Sequence, residues 1–564
     1  MPTQLDKDIQ RITQAVTAPG QMFELTEVTR RGVTMPAFKN APPSLAHYFA
    51  HFCNEKKDDV FIVDGELRLT FGEMWHAASH VAHGLATEHG IAKGDRVGIA
   101  ARNSANWIIA YMGVLMAGGC VTLLNGWWTG EELAYGIDLC ECKLVLADAQ
   151  RAARLDGIEH GATIVTFDHG APAEGLASIW AAGDTAMQML GQIGPDDLAT
   201  ILYTSGSTGH PKGAYSDHLG VVSGTMNYVC QTAMILQLLT ERNEAPTVQP
   251  SALVAVPLFH VTGEVPLLLQ SFAMGRKLVL MPKWDATEAL GLLDSEQITY
   301  FVGVPLMSYE IAVHPEREKY DLSQCKTFAG GGAARPIEHV KKIRDAFKDG
   351  FPALGYGLTE TNGVGAGNLN ENYLAKPSST GMPSLPLVDM AILDDDGTPM
   401  AQGKVGEVSI RSVCNFLGYW KNEEATKAAY SDQAYFRTGD LGYLDEDNYL
   451  FIVDRKKDII IRGGENISCI EVEEAIYAHP AVAECSVFGL PDERFGEIPA
   501  AVYYLHPGQS LTAEELQAFL REHIAAFKIP SVMWQSEDQL PRLGTQKVDK
   551  RTVKATFAKE HLAA

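Results

Sequence analysis

The stretch YTSGSTGHPKG, residues 203–213, decides the fold, because it places a run of small and hydroxylated residues directly after a buried strand. The apolar residues 199–203 read as that strand. Glycine lets a backbone approach an anion closely, while hydroxyls, free backbone amides and a lysine donate hydrogen bonds to phosphate oxygens. The residues predicted to bind phosphate are Thr204, Ser205, Gly206, Ser207, Thr208, Gly209 and Lys212.

A flexible surface linker and a Walker A loop both fit this stretch poorly. A linker would not follow a buried strand directly and end in Pro-Lys-Gly. A Walker A loop needs the spacing G-x-x-x-x-G-K-[ST], whereas Lys212 follows Pro211 and precedes Gly213. The stretch therefore predicts a phosphate-binding loop of another kind.

The chain around this stretch reads as alternating helices and strands, which predicts an α/β protein. Thr70-x-x-Glu73 is a capping box that starts a helix, and residues 96–101 read as the next strand. Apolar runs at residues 252–258, 300–304 and 326–329 each end in glycine, proline or polar residues. In open α/β sheets, ligands bind beside such carboxyl ends of strands.

A charged break at residues 454–458 separates two strand-like segments and marks the start of a smaller unit. Beyond it, Ser468-x-x-Glu471 and Thr512-x-x-Glu515 each cap a helix, and strands are expected at residues 483–488 and 500–504. The sequence thus predicts a large multi-layer N-terminal domain, residues 1–456, and a small α+β domain, residues 457–564. Residues 1–44 are interpreted as a polar lead-in.

Composition narrows the classes of function. The 46 Lys and Arg residues against 70 Asp and Glu give a net charge of −24, which disfavours nucleic acid or an anionic membrane as the main partner. Nine scattered cysteines fit the reduced thiols of a cytoplasmic protein better than disulfides or a zinc site. Residues 107–124 carry no charge, but their internal glycines favour a buried helix and strand over a membrane span.

The glycine-rich stretch resembles the phosphate loop of the adenylate-forming (ANL) superfamily, which includes acyl-CoA synthetases, peptide-synthetase adenylation domains and firefly-type luciferases. Five further motifs resemble those of the superfamily and occur in the same order. They are GYGLTET at residues 355–361, FRTGDLG at 436–442, DRKK at 454–457, GGENI at 463–467 and PRLGTQK at 541–547. The resemblance covers residues 45–564 and points to acyl-CoA synthetases of the fatty-acid–CoA ligase type.

The resemblance implies that a carboxylate attacks the α-phosphate of ATP, giving acyl-AMP and pyrophosphate, and that a thiol then displaces AMP. Lys547 is the first candidate for a catalytic residue, because its ammonium would offset charge that grows in the transition state. Thr359 would contact the α-phosphate, and Glu360 with Thr204 would hold Mg²⁺. His260 would lie between the carboxylate and the acyl pocket.

Nucleoside recognition would come from several motifs. Asp440 has the paired oxygens that a ribose diol needs, and Arg455 would bind the ribose or a phosphate from the other side. Tyr356 would stack on the adenine. The remaining candidates for the nucleotide site are Gly331, Gly332, Ala333, Gly355 and Gly357. Residues 329–336 depart from the Gly-Ala-Pro that is commoner in the superfamily.

In the superfamily the small domain is mobile, and the second step uses a different pose of it. Rotation about Lys457 would withdraw Lys547 and bring a glycine turn to the site. Gly463, Gly464 and Glu465 would then line a narrow tunnel for the pantetheine arm of CoA, where glycines leave room.

The motif PLFHVTG, residues 257–263, resembles the acyl-side motif of the superfamily. Acetate-specific members carry Trp where Gly357 stands, so an acid longer than acetate is expected. Adenylation domains of peptide synthetases hold the α-amino group with an aspartate, and this chain has no convincing counterpart, so an amino acid is not the expected substrate. A medium- or long-chain fatty acid is the leading prediction, and an aryl or alicyclic acid is the alternative. The expected pocket lining is His260, Val261, Gly263, Val302, Gly303, Gly330 and Gly331.

The leading prediction is therefore an acid–CoA ligase that uses a carboxylic acid, ATP, Mg²⁺ and CoA. A carrier protein is the alternative acceptor, and a luciferase-like oxygenase or β-lactone-forming enzyme would share the first step. A nucleotide-binding scaffold is a different class, disfavoured because Lys212, Glu360, Asp440, Arg455 and Lys547 are all present. No nucleic-acid partner and no integral membrane segment are expected, and the oligomeric state stays open, a homodimer included.

Overall fold

The computed structural model describes residues 3–182, 192–204, 211–347, 350–543 and 547–559. Helices and strands alternate through a large N-terminal domain, and a smaller α+β domain follows it. The predicted α/β fold with a large and a small domain is confirmed.

One sheet of the large domain has seven strands and carries the predicted phosphate loop. The strand Leu198–Thr204 is parallel to its neighbour Cys120–Leu123 and antiparallel to Lys212–Asp217, so Thr204 lies opposite Lys212. Both ends of the intervening stretch are therefore at the same edge of the sheet. The strand order is Gly418–Tyr419, Lys212–Asp217, Leu198–Thr204, Cys120–Leu123, Arg96–Ala100, Leu144–Ala147 and Thr163–Thr166.

A second sheet has nine strands and carries the predicted adenine and acyl walls. Its central strands are parallel, so their carboxyl ends, including Gly303, Gly331 and Tyr356, meet at one edge. The strand order is Met382–Pro383, Ala366–Asn368, Phe351–Tyr356, Thr327–Gly331, Tyr300–Gly303, Ser251–Val254, Lys277–Leu280, Val60–Asp64 and Leu67–Thr70.

The two sheets share one large apolar core filled by helices. The uncharged residues 107–124 lie inside it as most of the helix Ala105–Met116 and the strand Cys120–Leu123, with every residue of both elements buried. In the described ranges, no helix is long and apolar enough to cross a membrane. The helices of the large domain are Gln4–Val16, Leu45–Glu55, Phe71–Thr87, Ala105–Met116, Gly130–Leu139, Ala149–Ala152, Pro172–Gly175, His218–Glu241, Val261–Gly263, a π-helical turn Glu264–Leu269, Gln270–Met274, Ala286–Ser295, Pro305–Val313, Ile337–Ala346, Asn370–Ala375 and Glu423–Ala428.

The lead-in is folded, which its polar composition did not reveal. It forms the helix Gln4–Val16 and a hairpin of the strands Leu25–Arg30 and Val33–Phe38. Asp6 accepts hydrogen bonds from the amide of Asn372 (2.7 Å) and the hydroxyl of Tyr449 (2.8 Å), so the helix is held on the large domain.

A four-stranded antiparallel sheet ends the large domain and leads to the small one. Its strands are Asp389–Leu393, Gly406–Arg411, Phe436–Leu444 and Leu450–Arg455. The small domain has the strands Ile460–Arg462, Glu465–Ile467, Val482–Asp492, Gly496–Leu505 and Val532–Gln535 and the helices Cys469–Tyr477, Ala513–Leu520 and Lys550–Phe557.

The predicted helix starts are confirmed. The Thr70 and Thr512 side chains each accept from the backbone amide three residues on, and the Glu73 and Glu515 carboxylates return the bond. Ser468 caps Cys469–Tyr477 in the same position. These caps involve neighbours in sequence, which is why the pattern of residue types reveals them.

Candidate active site

Lys547 is carried to the site by a closed loop of the small domain. The backbone amide of Leu543 donates to the carbonyl of Lys547 (2.8 Å), and the amide of Asp549 donates to the carbonyl of Pro541 (2.7 Å). Lys547 Nζ ends only 2.8 Å from the point where a β-carbon on Gly332 would lie. The small domain thus places its lysine against the predicted adenine wall of the large domain.

The electrostatics around this ammonium link four of the predicted residues. Burial lowers the pKa of Lys547 to about 8; the Arg455 charge lowers it further and the Asp440 charge opposes the shift. Burial likewise lowers the pKa of His260 to about 3, with Lys547 adding to the shift. His260 is therefore neutral at physiological pH and adds no positive charge to that of Lys547 and Arg455.

Asp440 is the centre of the predicted ribose site. It lies on the strand Phe436–Leu444, opposite Arg455 on the neighbouring strand. The Tyr356 hydroxyl donates to Asp440 Oδ2 (2.7 Å), and Arg455 Nε lies 3.4 Å from Oδ1. Burial raises the pKa of Asp440, while Arg455 opposes the shift. Two side chains thus orient a carboxylate whose oxygens could accept from a ribose diol.

The predicted adenine wall is formed by the ends of two neighbouring parallel strands. Gly331 lies opposite Gly355 in the register, and Tyr356 follows on the same strand. A β-carbon on Gly355 would meet no atom within 4 Å, so the space beside it is open. Gly332 and Ala333 follow in an exposed loop. The open space beside Gly355 at these strand ends is the feature that a planar base requires.

Glu360 lies on a short 3₁₀ turn, Thr359–Thr361, after this wall. Its Oε1 accepts from the Tyr419 hydroxyl (2.8 Å), and Lys212 Nζ lies 4.6 Å from the centre of the Tyr419 ring. Burial raises the pKa of Glu360, while Tyr419, Arg455 and Lys212 oppose the shift. The carboxyl group and the phosphate-loop lysine therefore face one another across a tyrosine.

These residues suit Mg²⁺ bound jointly with phosphates. Within the residues that the structure describes, no group of three or more His, Cys, Asp or Glu side chains could hold a metal alone. Glu360 supplies one carboxylate, and Mg²⁺ is usually held by one or two carboxylates together with substrate phosphates. Thr204 ends its strand opposite Lys212, at the entrance to the phosphate loop. The predicted phosphate ligands Ser205, Gly206, Ser207, Thr208 and Gly209 lie outside the described residues.

The predicted acyl wall is built around His260. Its ring Nδ1 accepts from the amide of Thr262 (3.3 Å), and its carbonyl accepts from the amides of Gly263 and Glu264. Val261 contacts the backbone turn at Gly363, lying 3.4 Å from where a β-carbon on Gly363 would be. His260 thus both starts the following helix and lies beside the Lys547 charge.

The other predicted acyl residues divide between two faces of the sheet. Val302 belongs to the large core together with Val261. A β-carbon on Gly303 or Gly330 would point to the opposite face. It would lie 2.8 Å from the Met307 sulfur at Gly303 and 2.4 Å from the Arg335 guanidinium at Gly330. Only the backbone of these two glycines is left to line a pocket on the Val261 face. The alternation of strand side chains explains this division.

Position 357 has no room for a side chain. A β-carbon on Gly357 would lie 2.0 Å from the carbonyl oxygen of Gly363. The glycine is therefore required by a close approach of two backbone segments. It follows that Gly357 does not by itself report the depth of the acyl pocket, although the contrast with the Trp of acetate-specific members of the superfamily predicts that it does.

The predicted CoA-tunnel residues form a tight turn of the small domain. Gly463 and Gly464 have φ values of +59° and +92° and connect two short antiparallel strands, with Glu465 starting the second. The amide of Gly463 donates to the carbonyl of Phe495 (2.7 Å). The hairpin alone requires glycine here. Lys457 lies in an exposed turn between the two domains.

Sequence reasoning missed a buried polar pair beside the acyl wall. Glu264 is fully buried, directly after residues 257–263, and its Oε1 accepts from the Tyr111 hydroxyl (2.8 Å). Burial raises the pKa of Glu264 to about 7, so the carboxyl group is largely protonated below neutrality. Its position directly after the acyl motif was a signal in the sequence, but the partner lies 153 residues away.

Comparison with known proteins gives the family of both parts of the chain. Residues 49–420 match the family described as "AMP-binding enzyme", and residues 471–547 match "AMP-binding enzyme C-terminal domain". A long-chain-fatty-acid–CoA ligase of Bacillus subtilis is 32% identical over 88% of this chain and 91% of its own length. A feruloyl-CoA synthase of an Amycolatopsis species is 32% identical over 87% of this chain and 95% of its own.

A solved structure shares the whole architecture. The crystal structure of ATP-bound MatB from Rhodopseudomonas palustris superimposes with a TM-score of 0.79 at 28% identity, covering 92% of this chain and 99% of MatB. Both domains of the present chain therefore have counterparts in a protein seen with ATP.

Two glycines of one motif should respond differently to alanine. We expect Gly357→Ala to lower the free energy of unfolding by about 1–3 kcal/mol, because the methyl group collides with the backbone at residue 363. We expect Gly355→Ala to leave stability unchanged but to weaken ATP binding, because its methyl group enters the open slot. Thermal melting and calorimetric titration with ATP measure the two effects, and a stability loss in Gly355→Ala would contradict the open slot.

Proposed function

This chain belongs to the AMP-binding enzyme family and is an AMP-forming acid–CoA ligase, and we propose that the site around Lys547 activates an acid larger than acetate. The observation that carries the proposal is the position of Lys547, held by the small domain against Gly332 and close enough for Asp440 and Arg455 to shift its pKa. Such an ammonium can offset the charge that develops when a carboxylate attacks the α-phosphate of ATP.

In the first step, the chain's own residues bind and orient two anions. Lys547 and Arg455 supply positive charge at the carboxylate and α-phosphate, and Thr359 donates to the α-phosphate. Lys212 and the loop after Thr204 hold the β- and γ-phosphates. Mg²⁺, held by Glu360 and Thr204 with the phosphates, would supply further charge neutralisation there. Tyr356 and Arg455 keep the Asp440 carboxylate oriented towards the ribose.

For the acid, we propose a medium- or long-chain fatty acid. Val261 and Val302 belong to one apolar cluster, and the neighbouring strand ends in glycines, so the wall that His260 begins is aliphatic. The B. subtilis relative is named as a long-chain-fatty-acid–CoA ligase. An apolar tail along this wall gains free energy from burial, whereas a second charge would have no partner there.

An aryl acid with a polar substituent is the second candidate. Glu264, in the π-helical turn that follows the acyl wall, forms a buried polar pair with Tyr111 of the helix Ala105–Met116, and Glu264 Oε2 has no partner among the described residues. A hydroxyl group on the acid could donate to that oxygen. The Amycolatopsis relative, named as a feruloyl-CoA synthase, is as similar to this chain as the fatty-acid ligase.

For the second step, we propose that the small domain turns about Lys457 and exchanges Lys547 for the turn at Gly463 and Gly464. The domains would then be residues 1–456 and 457–564. The exposed turn containing Lys457 supports this proposal, because rotation there disturbs little buried structure. Acyl transfer to CoA would follow, with a carrier protein as the alternative acceptor.

The substrate is tested with a panel of acids. Acids from acetate to palmitate, together with cinnamate, benzoate and cholate types, are supplied with ATP, Mg²⁺ and CoA, and both pyrophosphate and acyl-CoA are measured. We expect both products from medium- or long-chain acids. Turnover of ferulate-like acids alone would favour an aryl acid that hydrogen-bonds to Glu264. Pyrophosphate without thioester would point to a carrier protein as the acyl acceptor. The absence of both products with every acid tested would contradict the proposal.

Removing the Lys547 ammonium should separate the two half-reactions. We expect Lys547→Ala to slow adenylation by roughly 10²-fold or more, the scale for one focused electrostatic contact. Thioester formation from supplied acyl-AMP should be largely kept, and the exposed Lys559→Ala is the matched control. Equal losses in both half-reactions would show that Lys547 does not act in the first step alone.

The pKa of Lys547 predicts a pH limit for adenylation. Because its pKa is lowered to about 8, the charged form is lost as the pH rises through that value. We therefore expect kcat/KM for ATP to fall above pH about 8, and Lys547→Arg to move the fall upwards because arginine stays charged. An unchanged profile in Lys547→Arg would assign the fall to another group.

Fixing the backbone at the proposed hinge should impair mainly thioester formation, whereas Lys547→Ala should impair mainly adenylation. We expect Lys457→Pro, which restricts φ, to impair thioester formation more than pyrophosphate release. Lys457→Ala removes the charge without this restriction and should leave both steps nearly unchanged. A fall in pyrophosphate release as large as the fall in thioester formation would rule out a hinge at this residue.

A further inference from the structure

The N-terminal hairpin has an arginine at a backbone position that disfavours it. Arg31 and Gly32 form the two-residue turn between the hairpin strands, with φ values of +51° and +75°. Turns of this kind prefer Asn-Gly or Gly-Gly, because most side chains are strained at positive φ. The hairpin also precedes residues 49–420, so it lies outside the part of the chain that matches the AMP-binding enzyme family. A contact that needs the arginine side chain would explain its presence.

Arg31 and the preceding Arg30, the last residue of the first hairpin strand, both contact residues 413–419, which we call the bracing segment. The Arg31 guanidinium lies 3.7 Å from the centre of the Tyr430 ring and donates to the carbonyl of Leu417. Arg30 pairs with Asp217 and donates to the carbonyls of Val413 (3.3 Å) and Asn415 (3.4 Å). The tip of the hairpin is therefore attached to the bracing segment along its length.

The opposite side of the bracing segment holds the phosphate end of the active site. The amide of Phe416 donates to the carbonyl of Glu360 (2.8 Å), and the Tyr419 hydroxyl donates to Glu360 Oε1 (2.8 Å). Lys212 lies over the same Tyr419 ring, and the Tyr430 hydroxyl donates to the carbonyl of Phe416 (2.9 Å). Arg31 is thus connected to Glu360 through Tyr430 and Phe416, and Lys212 contacts the Tyr419 ring of the same segment.

The bracing segment is held by packing where it is buried and by specific contacts where it borders solvent. Val413, Cys414 and Phe416 are buried in apolar clusters, whereas Arg31 and Tyr430 line two solvent-open clefts of about 470 and 110 Å³. Close packing is absent at the clefts, so the position of the segment there depends on its specific contacts. The arginine side chain is one of those contacts.

We propose that Arg31 is a positioning residue for the phosphate end of the nucleotide site. It holds the bracing segment, and through Phe416 and Tyr419 it sets the places of Glu360 and Lys212. The proposal rests on the proposed function, since it assumes that Glu360 and Lys212 act on the β- and γ-phosphates. The ribose contacts of Asp440 with Tyr356 and Arg455 do not pass through this segment.

The test compares ATP and AMP binding in the full chain without acid. Arg31→Asn removes the guanidinium and puts at this turn a residue that tolerates positive φ, so the hairpin itself is not strained. We expect ATP affinity in the presence of Mg²⁺ to fall roughly 3- to 10-fold, the range for one lost hydrogen bond or cation–π contact. AMP affinity should fall much less, because AMP has no β- or γ-phosphate and shares only the Thr359 end of the turn that carries Glu360. In turnover, KM for ATP should rise while KM for the acid stays the same.

Three further variants separate positioning from stability. Arg11→Ala removes an exposed arginine of the same lead-in that pairs with Asp8 (3.7 Å) and Glu241 (2.6 Å), and it should bind ATP as the wild type does. Tyr430→Phe removes the bond to Phe416 and should weaken ATP in the same direction as Arg31→Asn. Arg31→Lys, which keeps the charge, should recover part of the affinity. Thermal melting of each variant reports folding separately.

Equal ATP affinities for Arg31→Asn and Arg11→Ala would overturn the positioning role while leaving the proposed function intact. An equal loss of ATP and AMP affinity, accompanied by a lower melting temperature, would also overturn it and assign Arg31 a role in stability only. Absence of ATP binding by the wild type would overturn the proposed function itself, and the positioning role with it.

Discussion

The position of the Lys547 ammonium is the constraint on which the rest of this site depends. A chain with a net charge of −24 needs local positive charge to bind two anionic substrates, and in our proposal the buried Lys547 and the half-exposed Arg455 supply it. Burial lowers the pKa of Lys547 to about 8. The environment that strengthens the interaction of its ammonium with anions therefore also limits the pH range over which the ammonium is charged. His260 is kept neutral beside it, and Asp440 supplies the only opposing shift among the groups that act on Lys547 in the described residues. The site is therefore balanced between attraction for anions and the free-energy cost of an ammonium away from water.

Close approach of backbone segments makes this arrangement possible. The small domain can bring Lys547 against the wall because Gly332 carries no side chain, and the strand ends at Gly331 and Gly355 leave a slot for a planar ligand. The same property has a different consequence at Gly357, where the space is already filled by the backbone of Gly363. Glycines in one set of motifs thus serve three purposes: room for a mobile side chain, room for a ligand, and contact between two turns. Their residue type is the same, and only the surrounding atoms distinguish them.

The proposed phosphate end of the site is formed by residues that lie far apart in the sequence. Glu360 is held by Phe416 and Tyr419, Lys212 lies on the Tyr419 ring, and the hairpin at Arg31 supports the segment from outside. The lead-in is therefore an integrated part of the large domain. Its helix contributes stability through Asp6, whereas its hairpin reaches the neighbourhood of the nucleotide site.

The sequence by itself determined the α/β class, the large and small domains and the helix starts at Thr70, Ser468 and Thr512, because strand periodicity and capping depend on residues within a few positions of one another. It also determined which residue types stand in the motifs, and the structure brings Lys547, Asp440, Arg455, Tyr356 and Gly332 together. Only the tertiary structure decided that Gly303 and Gly330 turn their side-chain positions away from Val261, that the lead-in is folded, and that Tyr419 joins Glu360 to Lys212. The contacts of Tyr419 and of the lead-in join residues that lie 59 or more positions apart, and the pKa values of Lys547 and Glu264 follow from the burial of single groups. Neither a long-range contact nor the burial of one polar side chain leaves a local pattern in the chain, because both are properties of the packed molecule.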